Sequence, residues 1–126
     1  ITPVLGAASA TSLTLTAGRL QKIQGADVAS ATIVTLGSAG NVFEITGTTQ
    51  IDLLVITSWQ NGSEVTLVFN ESVTVRHAIA TSGANVTILL AGAANFAATA
   101  NDTLTLVLCE TTANGQAWRE KSRTVI

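Results

Sequence analysis

Alternation of apolar and polar residues with a period of two recurs along this chain and limits its fold more than any other feature. Ser12-Leu13-Thr14-Leu15-Thr16, Glu64-Val65-Thr66-Leu67-Val68-Phe69, Ser72-Val73-Thr74-Val75-Arg76 and Thr103-Leu104-Thr105-Leu106 set Leu or Val against polar neighbours. Successive side chains of a strand point to opposite faces, so each run buries one face and keeps the other polar. β-Branched Thr and Val suit a pleated surface and are weaker helix formers. Residues 20–23, 31–36, 42–46, 51–56, 85–90 and 117–124 are predicted as further strands.

Turn signals separate these runs at short intervals, among them Gln24-Gly25, Gly37-Ser38-Ala39-Gly40-Asn41, Gly47-Thr48 and Ser82-Gly83. Asn-Gly pairs tolerate the positive φ that tight hairpins demand, so Asn61-Gly62 and Asn114-Gly115 are predicted hairpin turns. Residues 93–100 are Ala-rich but lack an amphipathic stripe, and read as one short turn or a loop. The expectation is an all-β domain, a β-sandwich or jelly-roll-like arrangement of about ten short antiparallel strands with little or no helix. At 126 residues, 1–126 reads as one domain, with 1–17 as an extended N-terminal arm or linker.

Charge is scarce. The chain is 47% hydrophobic and 11% charged, with a net charge of −2, where about a quarter of residues are usually charged. That leaves no basic field to recruit nucleic acid. Thr, Ser, Asn and Gln carry the polarity, and they enter a packed interface without the desolvation cost of an ion. A surface so poor in ions points to apolar area covered by further copies of the chain, and hence to a homo-oligomer. The alternative is a mildly apolar coat of Ala, Thr and Gly.

The long uncharged stretch 77–101 carries three Asn and several Ser and Thr, so no membrane-spanning helix is expected. The opening Ile1-Thr2-Pro3-Val4-Leu5-Gly6 has no positive region ahead of an apolar core, and no secretory signal is read from it.

The chain carries no recognisable catalytic constellation. His77 is the one histidine, placed at a strand end in Val75-Arg76-His77-Ala78 with no nucleophile elbow in the chain, and reads as a surface or hydrogen-bonded residue. Cys109 stands alone after an apolar run and reads as a buried, inert thiol. One His and one Cys are too few for a zinc site, and no calcium or phosphate loop is present. Asp27, Glu44, Asp52, Glu64, Glu71, Asp102, Glu110 and Glu120 are scattered without the spacing of a catalytic pair. Asn61, Asn70, Asn85 and Asn101 open Asn-x-Ser/Thr triplets that turn chemistry explains. The reading is a non-enzyme with no cofactor and no metal. Trp59 and Trp118 are the candidates for stacking on a glycan; core or subunit-interface anchoring is the competing role for both.

From Gly18 onward the chain resembles a known module. The series runs Gly40-Asn41-Val42-Phe43-Glu44-Ile45-Thr46-Gly47-Thr48-Thr49-Gln50-Ile51, Trp59-Gln60-Asn61-Gly62-Ser63-Glu64-Val65-Thr66-Leu67, Leu89-Leu90-Ala91-Gly92, Asp102-Thr103-Leu104-Thr105-Leu106 and Trp118-Arg119-Glu120-Lys121-Ser122-Arg123. This order is similar to a β-rich module of fibre, tailspike and related appendage proteins of tailed phages and prophages. One departure is 109–115, longer than the turn the family pattern carries there. The resemblance implies a homotrimer at the particle surface, contacting other virion proteins as a capsid decoration, head-fibre or tail-fibre domain. Its alternative is a host-receptor module that recognises a surface glycan. A depolymerase fragment with carboxylates meeting across subunits is a third, remoter reading.

Overall fold

The structure, a computed structural model, describes Ser12, Thr14 and residues 16–126. The predicted N-terminal arm and the alternating run 12–16 fall largely outside the described residues. The fold is all-β. In chain order the strands are β1 (Val28–Ala29), β2 (Ile33–Val34), β3 (Val42–Thr46), β4 (Leu53–Val55), β5 (Glu64–Phe69), β6 (Val73–Val75), β7 (Asn85–Leu89), β8 (Phe96–Ala98), β9 (Thr103–Thr111) and β10 (Gly115–Thr124). A 3-10 turn, Ala91–Ala93, precedes β8.

The alternating runs became strands because one face could be buried. On β5, Val65, Leu67 and Phe69 point inward between half-buried Glu64, Thr66 and Val68. On β9, Leu104, Leu106 and Leu108 do the same between Thr103, Thr105 and Val107. These layers join Phe43, Ile45, Leu54, Val86, Ile88 and Trp118 in one core, to which Val73, Val75, Phe96 and Ala98 contribute from β6 and β8. Each fully buried aliphatic or aromatic side chain contributes about 1.5–3 kcal/mol of transfer free energy. On the outer face the Thr66 and Thr105 hydroxyls, directly opposite in register, hydrogen-bond at 2.9 Å.

Eight strands curl into a nearly closed, barrel-like sheet in the order β1-β3-β5-β9-β10-β7-β4-β2, while β6 and β8 form a separate two-stranded sheet. The pairing is mixed, which corrects the expectation of antiparallel strands throughout. β1–β3, β3–β5, β2–β4 and β7–β10 are parallel; β5–β9, β9–β10, β4–β7 and β6–β8 are antiparallel. The chain shuttles between two wings of the sheet, so β1, β3 and β5 stack in one wing while β2 and β4 stack in the other. A parallel pair needs a long crossover; for β1–β3, β3–β5 and β2–β4 it is a strand of the opposite wing, and for β7–β10 it runs through β8 and β9.

The two Asn-Gly pairs differ for this reason. Asn114-Gly115 closes the β9–β10 hairpin, with Gly115 at φ +63° and the Asn114 N–H donating to Thr111 Oγ1 at 3.3 Å. The longer stretch 109–115 is thereby absorbed into a hairpin of long strands. Asn61-Gly62 is a turn but not a hairpin, because it connects β4 of one wing to β5 of the other. Residues 20–23 are irregular rather than a strand, and β1 and β8 arise where no strand was predicted. β8 fell in the Ala-rich stretch, where only Phe96 marks an inward position among small residues.

Segment 23–25 is laid against 41–42 at the sheet edge. The Gly25 N–H donates to the Val42 carbonyl at 2.8 Å, and the Asn41 N–H to the Ile23 carbonyl at 2.9 Å. Gly40 permits that approach, since a Cβ there would collide with the Ile23 carbonyl and the Gly25 nitrogen, both backbone atoms. Gly40→Ala is therefore expected to cost about 2 kcal/mol, the scale of overpacking a site that cannot yield. A urea-denaturation midpoint that is unchanged from the parent chain would contradict this.

Candidate functional site

The two tryptophans share one end of the core but not one environment. Trp118, on β10, is 0% exposed. A ring so enclosed presents no face to a sugar, and its place is that of a core anchor. Trp59, between β4 and β5, is half-buried and packs edge to face on Phe43 at 6.4 Å and on Trp118 at 6.0 Å between ring centroids. These perpendicular contacts add to simple burial and hold the indole in one orientation. The Trp118 Nε1 is the buried side-chain donor without a hydrogen-bond partner among the described residues.

Trp59 lines an open groove of about 550 Å³, together with residues 20–23, 38–41 and 62–64. Glu64 is its electrostatic centre. Its Oε1 accepts from Lys22 Nζ at 3.0 Å and its Oε2 from Lys121 Nζ at 2.9 Å. Those two ammonium groups, Lys121 foremost, hold the Glu64 carboxyl below its ordinary range. Asn41 donates its side-chain N–H to the Glu64 carbonyl at 2.9 Å, tying the second wall of the groove to β5. Lys121 reaches Glu64 because of a bulge: the β9–β10 register shifts between Glu120 and Ser122, leaving Lys121 as the extra residue.

The same bulge builds a second polar cluster. In a regular strand, residues three apart face opposite sides. Beyond the bulge Arg123 lies opposite Leu104, and before it Glu120 lies opposite Leu106, so both face inward with those core leucines. The Glu120 side chain is 5% exposed and accepts hydrogen bonds from both Arg123 nitrogens Nε and Nη2 and from the Ala91 N–H at 2.7 Å. The Arg123 guanidinium lies 4.3 Å from the centre of the Phe96 ring. Hydrogen bonding from Arg123, followed in weight by that from Ala91, holds the Glu120 carboxyl below its usual value. Glu120→Ala strands the inward-facing guanidinium and is expected to cost about 3 kcal/mol. A thermal midpoint within a degree or so of the parent would count against that role.

The remaining candidate residues have structural tasks. Asp102 is fully buried; its Oδ2 accepts from the Thr99 N–H at 2.8 Å and the Thr99 hydroxyl at 3.1 Å, and its Oδ1 from the Ile126 N–H at 2.8 Å. The backbone donors of Thr99 and Ile126 hold its carboxyl low. His77 Nδ1 accepts from the Leu90 N–H at 2.9 Å, so its ring is a hydrogen-bonded strut at the end of β6. Cys109 is half-buried rather than buried. β9 turns it to the outer face, where Arg119 Nη1 lies 3.3 Å from its sulfur and 2.6 Å from its carbonyl oxygen. Asp52 takes Gln50 and Arg76. No three of His, Cys, Asp and Glu cluster as metal ligands among the described residues.

Sequence reasoning found Trp59 but missed its setting. Lys22, Asn41, Glu64 and Lys121 meet only because 23–25 docks on β3 and because β10 bulges; nothing in their spacing announces either event. The Glu120–Arg123 spacing was visible, but only the bulge makes it a pair. Compared with protein-family models, curated proteins and solved structures, the chain matches none.

Three carboxyl groups thus titrate lower when folded than when unfolded. Their contribution to stability is complete above the ordinary carboxylate values of about 4 and is lost as pH falls through the depressed folded values. The thermal midpoint is expected to be level from neutrality to about pH 5 and to fall below about pH 4. Glu64→Gln should make that fall shallower. A midpoint still level at about pH 2 would show that these contacts do not contribute.

Proposed function

We propose that this chain is a non-enzymatic structural domain of a bacteriophage virion, a capsid-decoration, head-fibre or tail-fibre domain, acting through homotrimer assembly. The observation that carries the reading is the outward surface. The strands turn Thr and Val outward where a solvated sheet would carry ions, as in Thr66 and Val68 of β5 and Thr103, Thr105 and Val107 of β9. Large apolar side chains lie exposed outside the strands as well: Leu20 at 72%, Ile23 at 66%, Ile126 at 78%. A surface so poor in charge and so rich in apolar and hydroxyl groups favours packing against identical surfaces. The residue series that resembles phage appendage modules supports the same reading, including the place of the protein on the outside of the particle and its contacts with other virion proteins.

Rigidity supports it too. A particle component works without chaperones, so its durability is a matter of slow unfolding. A nearly closed sheet with paired central strands suits that demand, since its two edge strands, β1 and β2, are only two residues long.

Light scattering coupled to size exclusion tests assembly: a mass of three times the 12.9 kDa chain is expected. A 12.9 kDa species at micromolar concentration would overturn the trimer. Antibody labelling of purified particles tests the location, with labelled particles expected and label confined to free protein as the opposing result.

A further inference from the structure

We propose that Asn114 is a site of spontaneous covalent modification. The Gly115 backbone nitrogen attacks its side-chain amide and converts it to a carboxyl group, while the fold shields the identical Asn61-Gly62 pair. The proposal is separate from the assembly reading above, since the reaction takes place within one chain.

The chemistry needs only water. The Gly115 nitrogen gives up its proton to solvent base and bonds to the side-chain carbonyl carbon of Asn114, Cγ. The Cγ–N bond of the side-chain amide breaks, and that nitrogen leaves as ammonia. The five-membered imide that results takes up water at one of its two carbonyls. Opening at Cγ gives aspartate; opening at the backbone carbonyl gives isoaspartate, whose main chain runs through the former side chain. The sum is an amide and water becoming a carboxylic acid and ammonia, with no oxidant and no cofactor. Glycine favours the ring closure because it has no Cβ to crowd the attacking nitrogen. Asn61-Gly62 and Asn114-Gly115 both meet that condition, so the sequence does not rank them.

The structure ranks them. At Asn61-Gly62 both reacting groups are held. The Gly62 N–H donates to the Leu108 carbonyl at 2.6 Å, and the Leu108 N–H donates in return to the Ser63 carbonyl at 2.8 Å. Leu108 is fully buried on β9, so freeing the Gly62 nitrogen means opening a wall of the core. The Asn61 side chain is fixed as well, its Oδ1 accepting from Gln116 Nε2 at 2.8 Å.

Asn114-Gly115 lies at the tip of the β9–β10 hairpin, where residues 111–115 are all exposed. The Asn114 backbone N–H donates to Thr111 Oγ1 at 3.3 Å, but its side-chain amide makes no hydrogen bond among the described residues. Gly115 pairs with Thr111 as the last rung of the ladder, and terminal rungs open at almost no cost in free energy.

The tip also suits the product. Thr111 Oγ1 accepts from Arg119 Nη2 at 3.0 Å as well as from Asn114, which sets the guanidinium one hydroxyl away from the modified residue. Arg119 belongs to no ion pair among the described residues. Conversion makes the net charge of −2 one unit more negative and places the new carboxylate beside that unmatched cation.

Incubation of the full chain at mildly alkaline pH, native and in urea, followed by peptide mapping with mass-spectrometric fragmentation to the residue, tests the assignment. In urea both pairs are expected to convert at similar rates. Each gains about one dalton and splits into aspartate and isoaspartate peptides that separate on chromatography. In the native chain Asn114 is expected to convert within about threefold of its unfolded rate, and Asn61 at least about tenfold more slowly than its own. The proposal is overturned if native Asn114 keeps its amide over the time in which the unfolded chain converts. Conversion of native Asn61 as fast as Asn114 overturns it equally. Since assembly is judged by the mass of the particle in solution and this site by the mass of a peptide, failure of one leaves the other standing.

Discussion

The β9–β10 hairpin is the constraint on which the rest of this fold depends. Among the described residues it is what joins the two wings of the main sheet: β9 pairs with β5 of one wing, β10 with β7 of the other. The outer strands of both wings, β1, β2 and β4, are only two or three residues long, and β1–β3 and β2–β4 pair in parallel. Isolated pairs of that length are marginal in water. They persist here because the hairpin holds the wings together around a single layer of Leu, Val and Phe. Removing water from that layer supplies the dominant favourable term.

Two of the protein's charged clusters hang on one irregularity of that hairpin. The bulge at Lys121 sends this lysine outward to Glu64 and brings Glu120 and Arg123 to the same inner face. One extra residue thus completes the groove on the outside and caps the core on the inside. Bulges that re-aim side chains in this way are features of a fold, and here charge-assisted hydrogen bonds hold the re-aimed side chains.

The cost of so compact a core is visible in its polar groups. Asp102 and Asp52 are buried and fully engaged, one with backbone donors, the other with Gln50 and Arg76. Acidic residues that look scattered along the chain therefore act as ties between segments distant in sequence. Trp118 is the exception, with its Nε1 buried and unpaired. Its perpendicular contact with Trp59 and the volume it fills outweigh a lost hydrogen bond of about 1–3 kcal/mol.

By itself the sequence determined which residues face inward. Period-two alternation is a local property, so β3, β5, β6, β7 and β9 and the inward set of Leu, Val and Phe were legible residue by residue. Asn114-Gly115 was legible as a hairpin for the same reason: its strands are neighbours in sequence and in space. Partner choice was not legible, because alternation is identical in parallel and antiparallel strands. Asn61-Gly62 carries the same turn chemistry as Asn114-Gly115, yet it links opposite wings. β1 and β8 have too few inward side chains to show a period at all. Only the tertiary structure decided that Lys22, Asn41, Trp59, Glu64 and Lys121 would meet at one groove, since their meeting depends on winding, on the close approach at Gly40 and on a one-residue bulge. None of these is a property of any short stretch of the chain.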